Sequence, residues 1–528
     1  MTQPTRPPER TGKHALLVAT GILLSRVIGL VRQRAFNHYF GQTDSADAFN
    51  AAFKIPNLLQ NLFGEGVLSA SFIPVYARLL AQEEEEEAGR LAGAIFSLLA
   101  LSAAFLVTVG VFVTPYLIDI IAPGFHGPKR VLTLHLVQIL FPGAGILVLS
   151  AWCLGILNSH RRFLLSYTAP VLWNVAMIGT LVTFGRRNLS TLAVDLAWGS
   201  LIGSALQFGI QLPAVFRLVR RLRPSLAAGA PRVREVLKNF APVLLSRGVV
   251  QISAYVDQVL ASLLGTGAVA ALTNAQTLST LPVSLFGIAV SAAELPAMSS
   301  ALGHEHEIAA YLQQRLNGGL RRIAFFVVPS SMAFFALGGV ITAVLFQTGR
   351  FGRADSQYVW GILAGSAIGL LASTLGRLYS STYYALRDTR TPLRFAIIRV
   401  ALTITLGYLA AIPLPHLLGL SQRWGAAGLT ASAGLAGWIE FALLRRTLQQ
   451  RIGPTGLPGS LMGRLWFSAL ISAAVSWCVK LLLPNTHVFW TSLVVLAVYG
   501  ATYFALTSMM QIEEATAAIS QIRRRLRR

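Results

Sequence analysis

Apolar stretches long enough to cross a bilayer alternate along the chain with short polar segments. A membrane-spanning helix needs about 20 apolar residues, and the sequence offers about fourteen such runs. They cover residues 14–34, 46–80, 91–117, 130–157, 164–184, 191–217, 236–264, 267–302, 320–346, 358–386, 394–413, 425–444, 464–484 and 487–509. The pattern predicts an all-α polytopic membrane protein, with proline and glycine breaking the second and eighth spans.

A weak internal repeat relates the two halves of this pattern. The matches share an offset near 222 residues and are Leu23–Arg26 with Leu244–Arg247, Phe63–Gly64 with Phe286–Gly287, and Pro74 with Pro296. Because six spans separate the copies, both copies have the same orientation in the membrane. The repeat predicts two parallel six-helix lobes related by an axis along the membrane normal, with substrate bound between them. Two extra C-terminal helices lie outside the repeat.

The spans and the repeat together define seven predicted segments. They are an N-terminal tail (1–13), an N-lobe (14–219), a basic linker (220–235), a C-lobe (236–446), a second linker (447–463), a final helix pair (464–510) and a basic tail (511–528).

Net charge is strongly positive, with 44 basic and 21 acidic residues giving +23, in a chain that is 54% hydrophobic. A soluble protein this basic would suggest a nucleic-acid partner. Here the basic residues concentrate in short loops, which the positive-inside rule places in the cytoplasm. We therefore expect a multi-pass protein of the cytoplasmic (inner) membrane with both termini in the cytoplasm, and no nucleic-acid partner. The basic tail either binds anionic lipid or anchors the last span.

The composition also argues against an enzyme. All loops are short, so no soluble catalytic domain fits between the spans. His304 and His306 form an isolated pair that is more typical of a solvated turn than of a metal site, and Cys153 and Cys478 lie in apolar runs without metal-ligand spacing. We expect no catalytic residues, no metal and no cofactor.

Charged residues inside the first two apolar runs are the strongest functional signal. Arg26, Arg32 and Lys54 lie within or near these runs, and charges at membrane depth are usually retained where they face a polar cavity or a ligand. Snorkelling to the interface is the alternative, above all for Arg32. Arg247 occupies the repeat position of Arg26. These four cations would suit an anionic phosphate-bearing headgroup, because guanidinium forks bind phosphate oxygens in pairs and lysine acts as a point charge.

Two acidic residues in the same hairpin are candidates for gating or charge pairing. Asp47 is close enough in sequence to pair with Arg32 or Lys54 and to release it on substrate binding. Glu65, between Gly64 and Gly66, either relays a proton or cation or caps a broken helix. Asn57, next to Pro56, either supports a kink or contacts substrate.

The same hairpin carries a family resemblance. The segments SRVIGLVRQ, SADAFNAAFKIPNLL and FGEGVLSASFIPVYARL resemble the opening of the MurJ (MviN) family of bacterial lipid II flippases, which belongs to the multidrug/oligosaccharidyl-lipid/polysaccharide exporter superfamily. Three positions depart from the family pattern: Gln33 stands where an aspartate is usual, Gln60 follows PNLL where an arginine is frequent, and Thr277 stands where span eight usually has an arginine. Two expected cations are therefore missing, and Arg247 is a candidate to compensate.

The resemblance also implies a coupling site in the C-lobe. Family members are thought to bind sodium there through an acidic residue of span seven, which matches Asp257. Glu294 in span eight and Arg399 in span eleven are the other charged candidates, and Arg399 stands where an amide or acid is expected. We hypothesise that the Arg399 guanidinium replaces the ion and pairs with Asp257; the alternative is a purely structural buried pair.

The resemblance implies a transport function for cell wall synthesis. The expected substrate is an anionic polyprenyl-pyrophosphate glycolipid, lipid II, moved from the inner to the outer leaflet by alternating access, with its tail in an apolar groove formed by the last two spans. Other expected partners are membrane lipids and cell-wall synthesis proteins. The alternatives are a flippase for another polyprenyl-linked glycan and a non-transporting scaffold. No P-loop is present, so energy must come from a gradient, the membrane potential or product consumption.

Overall fold

The computed structural model describes residues 9–219, 225, 229–300, 304–483, 487–517 and 520, with the side chains of 9–20, 22–23, 65–66 and 241–254 outside the description. These residues are helical apart from connecting turns and an isolated bridge between Thr348 and Phe351. The predicted all-α class is confirmed. The predicted tails 1–13 and 511–528 and the linker 220–235 lie partly outside the described residues.

The chain divides into two compact units, Met1–Leu263 and Leu264–Arg528. The first unit contains α1 (Glu9–Phe40), α2 (Asp44–Phe63), α3 (Glu65–Ala81), α4 (Glu85–Ile121), α5 (Gly127–Ser159), α6 (Phe163–Phe184), α7 (Leu189–Leu218) and α8 (Pro231–Ser262). Within it α8 packs on α2, α3 and α4. The division thus follows α8, whereas the sequence repeat starts the second lobe before it.

The second unit begins with a broken span: α9 (Ala268–Pro282), a π-helical segment (Val283–Ile288) and α10 (Ala289–Ser299). It continues with α11 (Glu305–Phe346), α12 (Arg353–Ala385), α13 (Arg390–Ala411), α14 (Pro413–Leu417), a 3₁₀ turn (Gln422–Trp424), α15 (Gly425–Ile452), α16 (Gly459–Leu482) and α17 (Val488–Met509).

Eleven helices of the described chain are long and apolar enough to cross a membrane, judged by length and composition. Three predicted spans, 14–34, 46–80 and 236–264, coincide with helices that are not among these eleven. They are the spans that carry Arg26, Asp47, Lys54 and Asp257. The multi-pass membrane fold is therefore confirmed, but the count of fourteen is not.

The two predicted breaks occur where a side chain or a hydrogen bond does not fit. At Gly64, between α2 and α3, a Cβ atom would collide with the carbonyl oxygen of Gln60, so only glycine allows the chain to turn there. In the second broken span, Pro282 lacks a backbone N–H and is followed by the π-helical segment. Such segments frequently lie at functional sites.

Central helices organise the packing of each unit. In the first unit α5 packs on α2, α4 and α7, and Trp152 is buried and donates from its indole nitrogen to the carbonyl of Ala92 at 3.1 Å. In the second unit α12 packs between α11 and α15, where Gly369 meets Gly434 with no room for a side chain. Small residues allow this close approach of membrane helices.

The last helix, α17, attaches to α11 through tyrosines. Pro329 leaves the carbonyl of Phe325 without its usual helical donor, and the Tyr503 hydroxyl donates to that carbonyl at 2.8 Å. Tyr499 donates to the carbonyl of Pro329 at 2.7 Å. Helix α17 is thus fixed to α11 by hydrogen bonds as well as by apolar packing.

Candidate functional site

Asp47 forms a buried ion pair at the beginning of α2. Its side chain is fully buried, and the ammonium of Lys129, in the first turn of α5, lies 2.7 Å from one of its oxygens. The same ammonium lies 2.8 Å from Asp44 and 4.3 Å from the centre of the Phe125 ring. Asp47 was expected to pair with Arg32 or Lys54; the structure gives it Lys129, which sequence reasoning missed. The signal was a lysine directly after Gly127-Pro128 at the start of an apolar run.

Arg32 of α1 is partly buried among groups that carry no negative charge. Its guanidinium carbon lies 4.9 Å from the centre of the Trp173 ring, and Nη1 donates to the sulfur of Met177 at 3.7 Å. Its Nε is buried without a hydrogen-bond partner among the described residues. A cation over an aromatic face is stabilised but not neutralised, so Arg32 retains its attraction for an anion.

Lys54 of α2 is a second partly buried cation of this unit. Its Nζ is buried, and within the described part of the chain it has no hydrogen-bond partner. The carboxylate of Asp257 on α8 acts on it electrostatically, and the Tyr255 hydroxyl of the same helix donates to the Lys54 carbonyl at 2.9 Å. A buried ammonium without hydrogen bonds is costly, so this group is prepared to receive an acceptor from a ligand.

Three other predicted site residues are either exposed or outside the described side chains. Arg26 on α1 is exposed. The side chains of Arg247 on α8 and Glu65 at the start of α3 lie outside the described ones, so their predicted roles stay predictions.

A small, mostly apolar cavity lies beside the proline of α2, lined in part by Phe53 and by Leu140 and Leu147 of α5. It has a volume of about 20 Å³, and its lining includes Pro56, Asn57, Gln60, Ser200 and Ser204 from α2 and α7. That volume holds about one water molecule. Asn57 and Gln60 therefore line a mostly apolar cavity next to Pro56, and both interpretations of Asn57, kink support and substrate contact, stay predictions.

Glu294 of α10 lies in a charge cluster of the second unit. It is 2% exposed, and its two oxygens lie 2.8 Å from Nε of Arg315 and 3.2 Å from Nη1 of Arg322, both on α11. This clamp fixes α10, the end of the broken span, to α11. The arrangement favours a structural role over the predicted coupling role.

Replacing Glu294 with glutamine should loosen this clamp without creating a clash. We expect the thermal unfolding midpoint of the detergent-solubilised protein to fall, with a loss of about 1–3 kcal/mol, because one charged hydrogen bond, from Arg322, and one ion pair, with Arg315, are weakened. Glu86→Gln is the matched control, since Glu86 contacts Arg90 in an exposed i,i+4 pair. An unchanged midpoint for Glu294→Gln would show that the clamp contributes no stability.

Arg399 of α13 also has a partner that sequence reasoning missed. Its Nη1 donates to Glu440 of α15 at 3.1 Å. Asp257 and Arg399 belong to different compact units, and their proposed pairing stays a prediction. In the structure Asp257 acts on Lys54 and Arg399 binds Glu440.

Comparisons with known proteins agree on one family. A family model described as "Lipid II flippase MurJ" matches residues 36–509. The chain is 33% identical over 480 residues to the "Lipid II flippase MurJ" of Burkholderia cenocepacia, covering 88% of this chain and 90% of that protein. It is 32% identical over 445 residues to the "Probable lipid II flippase MurJ" of Bdellovibrio bacteriovorus, covering 83% and 82%.

Solved structures show the same fold. A lipid II flippase MurJ in an inward closed conformation superposes with a TM-score of 0.77 at 23% identity, covering 94% of this chain and 98% of the other. An inward-facing multidrug resistance transporter of the MATE family superposes with a TM-score of 0.63 at 17% identity, covering 83% and 98%. On the sequence matches, which span most of its length, this chain belongs to the MurJ family.

Proposed function

We propose that this protein is a flippase that moves lipid II, the polyprenyl-pyrophosphate-linked peptidoglycan precursor, from the inner to the outer leaflet. The observation that carries the proposal is that Lys54 and Arg32, two cations of one helical membrane unit, each have a buried nitrogen without a hydrogen-bond partner among the described residues. A pyrophosphate supplies acceptor oxygens and negative charge for both groups. The relatives that share the family are named for this substrate.

Asp257 gives this site a means of releasing its substrate. In the absence of substrate the Asp257 carboxylate attracts the Lys54 ammonium. An arriving pyrophosphate competes for the same ammonium, and after departure of the phosphate the carboxylate interacts with it again. We propose that this exchange, with Asp47 held by Lys129 at the beginning of the same helix, links occupancy of the site to the position of α2.

Transport needs no covalent chemistry in this scheme, so we propose a transporter without enzymatic activity. The membrane potential supplies about 2.3 kcal/mol per charge per 100 mV. An inside-negative potential favours outward movement of an anionic lipid and inward return of a cation-lined empty carrier. The proposed location is the cytoplasmic membrane with both termini in the cytoplasm. The lobes 14–219 and 236–446 move, and the pair 464–510 holds the lipid tail.

Complementation tests this function. In a bacterium depleted of its own lipid II flippase, the wild-type protein should restore growth, and Arg26→Ala and Arg247→Ala should fail at normal membrane abundance. Arg90→Ala is the control, because Arg90 is exposed and pairs only locally with Glu86 and Glu87. Failure of an abundant wild-type protein would overturn lipid II as substrate and favour a flippase for another polyprenyl-linked glycan, with Gln60 and Thr277 the first residues to revert.

A further inference from the structure

Three charged side chains from α12, α13 and α15 form a cluster in the second unit. Arg399 donates to Glu440 at 3.1 Å, and Arg377 interacts electrostatically with both, repelled by Arg399 and attracted by Glu440. Two guanidinium groups and one carboxylate leave the cluster with one excess positive charge.

The cluster lies far from the helix ends. Arg399 is nine residues after the start of α13, and Glu440 is twelve residues before the end of α15. At 1.5 Å per residue these positions are roughly 14 Å and 18 Å from the helix ends. The 22 residues of α13 span about 33 Å, close to the thickness of a bilayer core. Excess charge at this depth is stable where it faces polar space or a ligand.

Arg377 has its donors open. It is exposed, and its guanidinium makes no hydrogen bond or ion pair with any residue that the structure describes. Its stem passes the π-helical segment, since a Cβ atom on Gly287 would lie 3.8 Å from Cδ of Arg377. The stem is therefore held against the broken span while the planar fork, with five N–H donors, remains available.

Arg399 uses only part of its own fork. One of its nitrogens contacts Glu440, so further donors remain for a second acceptor. Two guanidinium forks match the oxygens of phosphate groups, and the nearby carboxylate of Glu440 repels an anion and so lowers its affinity for the site. We propose that Arg377 and Arg399 form a phosphate-binding site in the second unit, with Glu440 limiting its affinity so that the ligand is released.

The phosphate can come from two lipid sources. One is the diphosphate of a polyprenyl-linked substrate, an assignment that rests on the proposed function; the other is the headgroup of an anionic phospholipid such as phosphatidylglycerol. A site on the transport route would bind the diphosphate. It would supply cations in place of the arginines that the family usually has at the positions of Gln60 and Thr277.

Binding of three probes to the purified full-length protein tests the site. The probes are undecaprenyl diphosphate, phosphatidylglycerol and inorganic pyrophosphate, each titrated in detergent and followed by native mass spectrometry. Arg377→Gln should weaken binding of undecaprenyl diphosphate about tenfold or more, since a hydrogen-bonded charge pair is lost, and Glu440→Gln should strengthen it. Arg394→Gln, an exposed arginine on α13, should leave it unchanged. Removing Arg377 breaks no ion pair, so its variant should fold normally.

The outcomes separate this site from the transport proposal. Weakened binding of phosphatidylglycerol alone would support the phosphate site but assign it to bilayer lipid. Equal binding of all three probes by wild type and Arg377→Gln would overturn the site, and would leave the flippase proposal intact if the wild type still rescues growth. Weaker binding of undecaprenyl diphosphate by Arg377→Gln, together with failed rescue by the wild type, would support the phosphate site and overturn lipid II as the substrate.

Discussion

Replacing Lys129 with methionine is expected to produce a large loss of stability in the first unit. Asp47 is fully buried, and its carboxylate would lose the ammonium that lies 2.7 Å away. Removing one partner of a buried ion pair typically costs about 3–5 kcal/mol, because a charge remains in a poorly solvated place. The thermal unfolding midpoint of the detergent-solubilised protein, followed by tryptophan fluorescence, should fall by many degrees.

A second substitution distinguishes the ion pair from lost packing. Adding Asp47→Asn to Lys129→Met removes the buried charge, so the double variant should be more stable than Lys129→Met alone. Arg130→Met, at the next position, is the control, because Arg130 pairs with an exposed Asp119 and such pairs contribute little. If Lys129→Met unfolds at the wild-type temperature, the ion pair does not hold α2 to α5.

Replacing Lys54 with methionine is expected to have the largest effect on transport. Methionine keeps much of the apolar stem but removes the ammonium that would meet the pyrophosphate. A hydrogen bond to a charged group contributes about 1.5–3 kcal/mol, so lipid II flipping should fall roughly 10- to 100-fold. The rate would be measured in inverted membrane vesicles as the appearance of lipid II at the lumenal face.

Two further variants make this prediction specific. Lys480→Met is the matched control, since Lys480 also lies on an apolar helix but is placed 4.1 Å from the centre of the Trp477 ring. Lys54→Met removes the ammonium that attracts the Asp257 carboxylate. Adding Asp257→Asn also removes that carboxylate, so the double variant should regain any stability that Lys54→Met lost, while its flipping rate stays low. Wild-type flipping by Lys54→Met would contradict a role for this cation in binding.

Much of the fold follows from local rules that the sequence displays. Apolar runs of bilayer length gave helices, and the breaks at Gly64 and Pro282 came from a missing side chain and a missing N–H, both visible without a structure. The charged residues at membrane depth could also be identified, because a charge within an apolar run is visible in the sequence itself.

The partners of the charges could not be predicted in this way. Sequence position gives the depth of a residue along a helix but not which neighbouring helix it faces. Asp47 was therefore assigned to cations near it in the chain, while packing of α2 on α5 brought it to Lys129. Arg399 likewise binds Glu440 because α13 packs on α15. Arg377 belongs to none of the sequence motifs, and its only signal was that it is a basic residue in an apolar run.

Reconstitution into liposomes is the most direct test of whether this protein moves lipid II between leaflets. The purified protein would be placed in liposomes containing fluorescent lipid II in both leaflets, and the fraction accessible to a membrane-impermeant reductant would be followed with time. We expect the wild-type protein to expose lipid II from the inner leaflet. Lys54→Met should do so at least about tenfold more slowly, and Lys480→Met should match the wild type. Equal, protein-independent accessibility in all liposomes would contradict the assignment of this chain as a lipid II flippase.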